Sequence, residues 1–364
     1  MQGIASRKFA LRNVRVFDGR EIGDPTTVVI DGSVIGVDAA GAEVVDAGGA
    51  VLVPGFIDAH VHLDDVETLD VYAAHGVTTA LDMGALSPEL VAAQRDRIGT
   101  ASMRSAGLPI VGSADAHANV PGIDGIPAVS GPEDAEAAVA LRLAGGSDYI
   151  KILFEATDEG LDPAIMKAVV VAAHAHRVKV VVHATSPEAY ATAVDAGVDV
   201  LTHVPLGARL SESEIGRMAV EQMVVVPTLT MMEGCAESFG VGAMFAASLQ
   251  SVGALHTTGV PILAGSDANA TPGVPFHPAH GASLHHELEL LVRAGLSTVE
   301  ALNAATMLPA RHFGLTDRGT IAPGLRADLV LLDGDPVADI RATRAIRGIW
   351  CGGVEYVRPE HVGG

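Results

Sequence analysis

Cysteine is nearly absent from this 364-residue chain: it holds two, Cys235 and Cys351. Two thiols cannot build a disulfide framework, so the expected compartment is a reducing cytoplasm. Positive charge is also scarce, 23 Lys+Arg against 44 Asp+Glu, and the formal net charge is −21. Such a chain repels phosphate backbones and anionic lipid, which argues against nucleic-acid and membrane-surface roles. Long apolar runs are missing too. The opening MQGIASRKFALRNVRVFDG lacks the unbroken apolar core of a secretion signal, and no stretch approaches the ~20 apolar residues of a membrane span. What is abundant is core-forming material, with 49% hydrophobic and only 18% charged residues. The length fits two or so domains at roughly 150 residues each, or one α/β barrel of about 250 residues with an accessory piece. The expected partner is a small-molecule substrate, with self-association into a homo-oligomer left open.

Residues 8–53 alternate apolar and polar positions, broken by D-G and G-G turns, as in a small antiparallel β unit. The same texture returns in RADLVLLDGDP and IRGIWCGGVEYV near the other end. Both ends are expected to form one small β-sandwich, residues 1–54 plus 319–364, into which residues 55–318 are inserted. Within the insert, apolar runs alternate with helical stretches: GFIDAHVH (55–62), VTTALDM (77–83), PIVGSAD (109–115), YIKILF (149–154), VKVVVHA (178–184), VDVLTHV (198–204), MVVVPTL (223–229) and VPILAGSD (260–267). Near-continuous hydrophobicity is what parallel strands buried on both faces require. Helix starts are written between them, since Ser87, Asp162 and Ser186 each precede a proline. Gly76, Gly145 and Gly197 stand where the preceding helices should stop, and Ser297 to Glu300 reads as a capping box. The fold class is therefore α/β, a (β/α)8 TIM barrel, whose active site lies at the C-terminal ends of the strands.

Polar residues fall at those ends. The first run closes on His60 and His62, which alternation sends to one side. The fifth closes on His183, the sixth on His203 and the eighth on Asp267. Imidazole plus carboxylate suits zinc or a similar first-row ion. Lys151 sits inside YIKILF among core positions, where an unpaired ammonium costs several kcal/mol and needs a partner, a depressed pKa or chemical conversion. The plain alternative is a structural lysine paired with a carboxylate. A second pair, His174 and His176, lies near a helix C-terminus and reads as structural or surface, as do His285 and His286.

The segments VPGFIDAHVHL, YIKI, AGSD and GTIAPGLRADLVLLDGDP, with the two later histidines in order, resemble the amidohydrolase superfamily, close to its imidazolonepropionase-like and Xaa-Pro dipeptidase-like branch. The resemblance implies two divalent metal ions, expected to be Zn2+. His60, His62 and Asp267 would hold one and His183 and His203 the other, bridged by Lys151 carrying a CO2-derived carbamate. A bridging hydroxide would be the nucleophile. By the same resemblance Asp267 is catalytic, taking a proton from that water and passing it to the leaving nitrogen; the alternative is a ligand only.

The function implied is hydrolysis of a C–N bond in a small amide, such as an N-acyl amino acid, dipeptide or cyclic amide. Alternatives are lactone, ester or phosphotriester hydrolysis at the same site, a mononuclear deaminase, and a metal-free scaffold. Against the deaminase, His183 is followed by Ala-Thr-Ser-Pro-Glu rather than a His-x-x-Glu pattern; against the scaffold, the ligand set is intact. Substrate-binding candidates are His117, Arg209, Thr228 and Tyr149, the last with a packing role as its alternative. Arg209 is the natural anchor for a substrate carboxylate. Met231, Met232, Phe239, Met244 and Phe245 supply material for an apolar wall. Cys235 has no histidine-partnered motif beside it.

Overall fold

The structure is a computed structural model that describes residues 8–84, 87–112, 126, 128–157 and 160–357. The chain begins with five strands: β1 (Lys8–Val16), β2 (Thr26–Asp31), β3 (Val34–Gly36), β4 (Glu43–Asp46) and β5 (Val51–Pro54). Strand and helix then alternate: β6 (Phe56–Val61), α1 (Thr68–Ala74), β7 (Val77–Asp82), α2 (Pro88–Gln94), β8 (Ser102–Ser105), α3 (Ala135–Ala144), β9 (Ile150–Leu153) and α4 (Pro163–Ala175). The alternation continues through β10 (Val180–His183), α5 (Pro187–Ala196), β11 (Val200–Thr202), α6 (Glu212–Val220), β12 (Val224–Val226), α7 (Leu229–Ser238) and α8 (Phe245–Thr258). Three helices, α9 (Ala282–Arg293), α10 (Thr298–Ala304) and α11 (Met307–His312), precede β13 (Leu329–Leu332), β14 (Ile346–Cys351) and β15 (Val354–Glu355).

The two ends of the chain share one mixed sheet in the order β15-β14-β13-β5-β1-β2-β3, with β4 also paired to β1. Its apolar face packs Phe9, Leu11, Ile30, Leu52, Leu329 and Trp350 together. The middle of the chain forms parallel sheets, β6-β7-β8 and β12-β11-β10-β9. Apart from β8, their strands are buried along their length or nearly so, which explains the unbroken hydrophobic runs. Ser87, Asp162 and Ser186 each accept a backbone N–H of the first helical turn, with proline at its start. Gly197 ends α5 in the left-handed conformation that glycine adopts without strain. Among the described residues, no helix is long and apolar enough to cross a membrane.

Two strands differ from the sequence expectation. The strand that pairs with β7 lies at Ser102–Ser105, upstream of the expected 109–115; of that run, Ile110 exchanges backbone hydrogen bonds with β9 as an isolated parallel bridge to Ile152, and residues 113–115 lie outside the described residues. The eighth run forms no continuous strand, although Ile262 bridges Val225 and Ala268 bridges Val61 in parallel. The reason is local: the Ala264 N–H donates to Ala304 at the end of α10, so it is lost to strand pairing. Gly265 then runs between β6 and β12, where a Cβ would stand 2.4 Å from Val226 Cγ1 and 2.8 Å from the His60 backbone nitrogen. Gly265→Ala is expected to destabilise the fold by about 1–3 kcal/mol through overpacking, read as a lower urea midpoint with unchanged m-value.

Candidate active site

The pleat of β6 places Asp58 and His60 inward together, both fully buried. Asp58 accepts from the Ser266 N–H at 2.9 Å, the Ser266 hydroxyl at 2.6 Å and the His60 N–H at 3.3 Å. These bonds tie the eighth segment to β6 and bring Asp267 to His60. Burial lifts the Asp58 carboxyl to about 7 against those bonds. Asp267 Oδ1 then lies 3.3 Å from His60 Nε2 and 3.2 Å from His62 Nε2, and Oδ2 lies 3.7 Å from His203 Nδ1. The far nitrogen of His62 faces the Gly84 carbonyl at 3.1 Å, which fixes the ring.

His203, Thr228 and Asp267, each just past a barrel-facing run, all have left-handed backbones, with φ of 72°, 47° and 56°. Such residues cost of order 1–3 kcal/mol each and persist where the surroundings over-determine them, which is commonest at functional sites. Here the turn aims Thr228 Oγ1 at His203 Nδ1, 2.8 Å away. The His183 ring stands against His203 with centroids 4.3 Å apart, and its Nε2 lies 2.9 Å from Glu155 Oε1. The Thr185 hydroxyl donates to the same oxygen at 2.6 Å.

Lys151 is buried and donates to Thr202 Oγ1 at 2.9 Å; among the described residues no carboxylate lies within ion-pair distance of it. Burial pulls its pKa from 10.5 to about 7, opposed by Asp267 and Asp82. Burial, aided by the charge of Lys151, likewise keeps His60 neutral, the form that ligates a metal.

These groups line one cavity of about 580 Å³. His60, His62, Lys151, His183, His203 and Asp267 all contribute to it. Donor atoms of His60, His203 and Asp267 lie within 4.8 Å of one another, a spacing compatible with metal binding. His60 Nδ1 is buried without a hydrogen-bond partner. Neutral imidazoles converging on a carboxylate fit a first-row divalent cation.

The substrate-binding candidates fare differently. Arg209 is exposed and does not line the cavity. Thr228 is buried and holds the His203 ring rather than facing the cavity. Tyr149 is a core residue, its hydroxyl donating to the Asp82 carbonyl at 2.8 Å and its ring packed on Phe313. His117 lies outside the described residues. Met231, Met232 and Phe239 do line the cavity, whereas Met244 is half-exposed and Phe245 is buried in the core. Cys235 also lines it, and burial raises its thiol to about 11, which favours the protonated, unreactive form.

Four further histidines singled out in the sequence make structural contacts away from the cavity. His174 pairs with Asp199, His176 with Glu136 and His286 with Glu233, while His285 contacts Thr343 and the His75 carbonyl. Sequence reading passed over Glu155, although it stands two residues beyond β9, on the side where barrel loops carry function. It also passed over Asp58, one pleat before His60, and Glu287. The Glu287 carboxylate accepts the Leu229 and Thr230 N–H groups at the start of α7, and burial raises it to about 8.

The chain is 29% identical over 338 residues to an uncharacterized protein of Mycobacterium tuberculosis, with 85% of each chain covered. It is 29% identical to an adenine deaminase of Methanoregula boonei, covering 94% of this chain but 61% of that one. A solved Xaa-Pro dipeptidase with bound methionine superposes with a TM-score of 0.83 at 23% identity, over 96% of this chain and 99% of that one, a likeness that implies the TIM-barrel fold. The amidohydrolase family model matches residues 51–357, and the chain belongs to that family.

Proposed function

We propose that this chain is a metal-dependent hydrolase cleaving the C–N bond of a small amide. In this reading residues 55–318 form a closed (β/α)8 barrel and residues 1–54 with 319–364 a small β-sandwich beside it. The observation that carries the reading is the convergence of His60, His203 and Asp267 in the cavity that also receives His62, His183 and Lys151. His60, His62 and Asp267 would hold one ion, His183 and His203 a second, with carbamylated Lys151 between them; zinc suits the donors. Bound there, divalent ions supply Lewis-acid polarisation of a carbonyl and a water acidic enough to attack at neutral pH.

The chain's own groups do the rest. Asp267 presents one oxygen to His60 and His62 and the other toward His203, so it can accept a proton from water and hand it to the departing nitrogen. Amide cleavage needs that transfer because an amide anion leaves poorly. Lys151, whose pKa burial lowers to about 7, presents near neutral pH a far larger share of free amine than an exposed lysine, and the free amine is the form that adds to CO2. Thr228 fixes the His203 ring, and the Gly84 carbonyl fixes His62.

The same arrangement serves lactones, esters and phosphotriesters, and the adenine deaminase relative makes an aminopurine a fair competitor. The test is a screen of zinc-loaded and chelator-stripped protein against amides, lactones, esters, a phosphotriester and adenine. Amide turnover that vanishes on chelation and returns with zinc is expected. Turnover indifferent to chelation would overturn the reading, and so would metal-dependent turnover of the other classes alone.

A further inference from the structure

A second cavity, of about 280 Å³, lies between the start of α2, the end of α3 and the turn after β8, and shares no described lining residue with the candidate active site. Its walls are mostly apolar, from Pro88, Leu108, Leu141 and Ala144, and Leu141 is left 54% exposed beside it. One charged side chain lines it. Arg142, on α3, is only 4% exposed, and an arginine buried that deeply is almost always paired with a carboxylate. Among the described residues no carboxylate lies within ion-pair distance of it, and burial alone acts on its pKa, lowering it. Nη1 donates to the Ala138 carbonyl at 3.3 Å and Nη2 to the Pro109 carbonyl at 3.0 Å, while Nε is buried with no hydrogen-bond partner. A guanidinium has further N–H donors to give, and two carbonyl dipoles do not neutralise a full charge. Ser147, the other polar side chain of the lining, spends its proton on the Ala106 carbonyl at 2.6 Å.

The surroundings add positive charge rather than remove it. Arg95 donates to the carbonyl of Gly146, between the lining residues Gly145 and Ser147, and Arg95 and Arg104 share one carboxylate, Asp148. Glu89, the other acid next in sequence to a lining residue, is exposed to water. We propose that this cavity is a second small-molecule site, which takes a carboxylate on a compact apolar body about the size of benzoate. The carboxylate supplies the counter-charge that Arg142 lacks, in the pairing a guanidinium makes best, and the apolar body lies against Leu108, Leu141 and Ala144. The volume falls just below the range usual for drug-sized ligands, which suits a molecule that small. A neutral compound of the same shape gains the apolar burial without the charge pairing. Neither the metal nor the reaction enters this inference.

The test is calorimetric titration of the full chain with benzoate and with benzamide, zinc-loaded and after chelation. Divalent ions in the candidate active site also attract carboxylates, so the second site is read from the binding that survives chelation. The chelated chain should bind one equivalent of benzoate, roughly tenfold or more tighter than benzamide. Arg142→Met should weaken benzoate to the level of benzamide. Because that change also removes the bond to Pro109, a second variant keeps the arginine: Ala144→Phe, at an exposed position on the last turn of α3, fills the cavity and should weaken both compounds by roughly tenfold. His203→Ala should leave the benzoate affinity of the chelated chain unchanged. Equal affinity for the two compounds, benzoate binding that disappears on chelation, or affinity untouched by Arg142→Met or by Ala144→Phe would overturn the proposal.

Discussion

Asp267→Asn is expected to lower amide turnover by two orders of magnitude or more, on the usual scale for general acid–base groups, while metal content falls by much less. Asparagine keeps one oxygen for His60 and His62, and it tolerates the left-handed backbone that Asp267 adopts at φ 56°. What it lacks is the capacity to take a proton and return it. Kinetics and metal analysis of the same preparations separate the two roles. Activity and metal lost in strict proportion would make Asp267 a ligand only.

Lys151→Met should abolish turnover and remove at least one equivalent of metal, yet stabilise the metal-free fold near neutral pH. Lys151 is buried with Thr202 Oγ1 as its hydrogen-bond partner, and its pKa falls from 10.5 to about 7. Below pH 7 the folded chain carries a buried ammonium, at a cost of several kcal/mol. Between about 7 and 10.5 the unfolded chain binds a proton that the folded chain has released, so wild-type stability rises with pH. The methionine variant lacks that rise. Its advantage in urea midpoint should therefore be largest at and below pH 7 and shrink toward pH 10.5. An advantage independent of pH would mean that the lysine's charge is satisfied within the fold.

The residues that converge were legible because strand alternation and the C-terminal-end rule of α/β barrels depend on pattern alone. His60, His62, Lys151, His183, His203 and Asp267 each fall on or just past a buried apolar run, and all reach one cavity. The strand at Ser102–Ser105 was missed because it is short and carries serine and arginine where a buried strand usually has apolar residues. The eighth run is apolar but irregular, since the end of α10 takes one of its N–H groups. Tyr149, Arg209 and Thr228 stay out of the cavity lining for separate reasons. Tyr149 precedes β9 and so lies away from its C-terminal end, Arg209 sits in a loop that has no period to aim it, and the left-handed backbone of Thr228 turns its hydroxyl to His203. Glu155 was within reach of the same rule that found the ligands.

Metal stoichiometry tests the central claim most directly. Protein purified from cells grown with zinc and bicarbonate should hold close to two metal ions per chain by mass spectrometry of the acid-digested sample, and His60→Ala and His203→Ala should each lower that value. A wild-type preparation that binds no metal when zinc is supplied in excess, or retains its full complement after both histidines are removed, would contradict it.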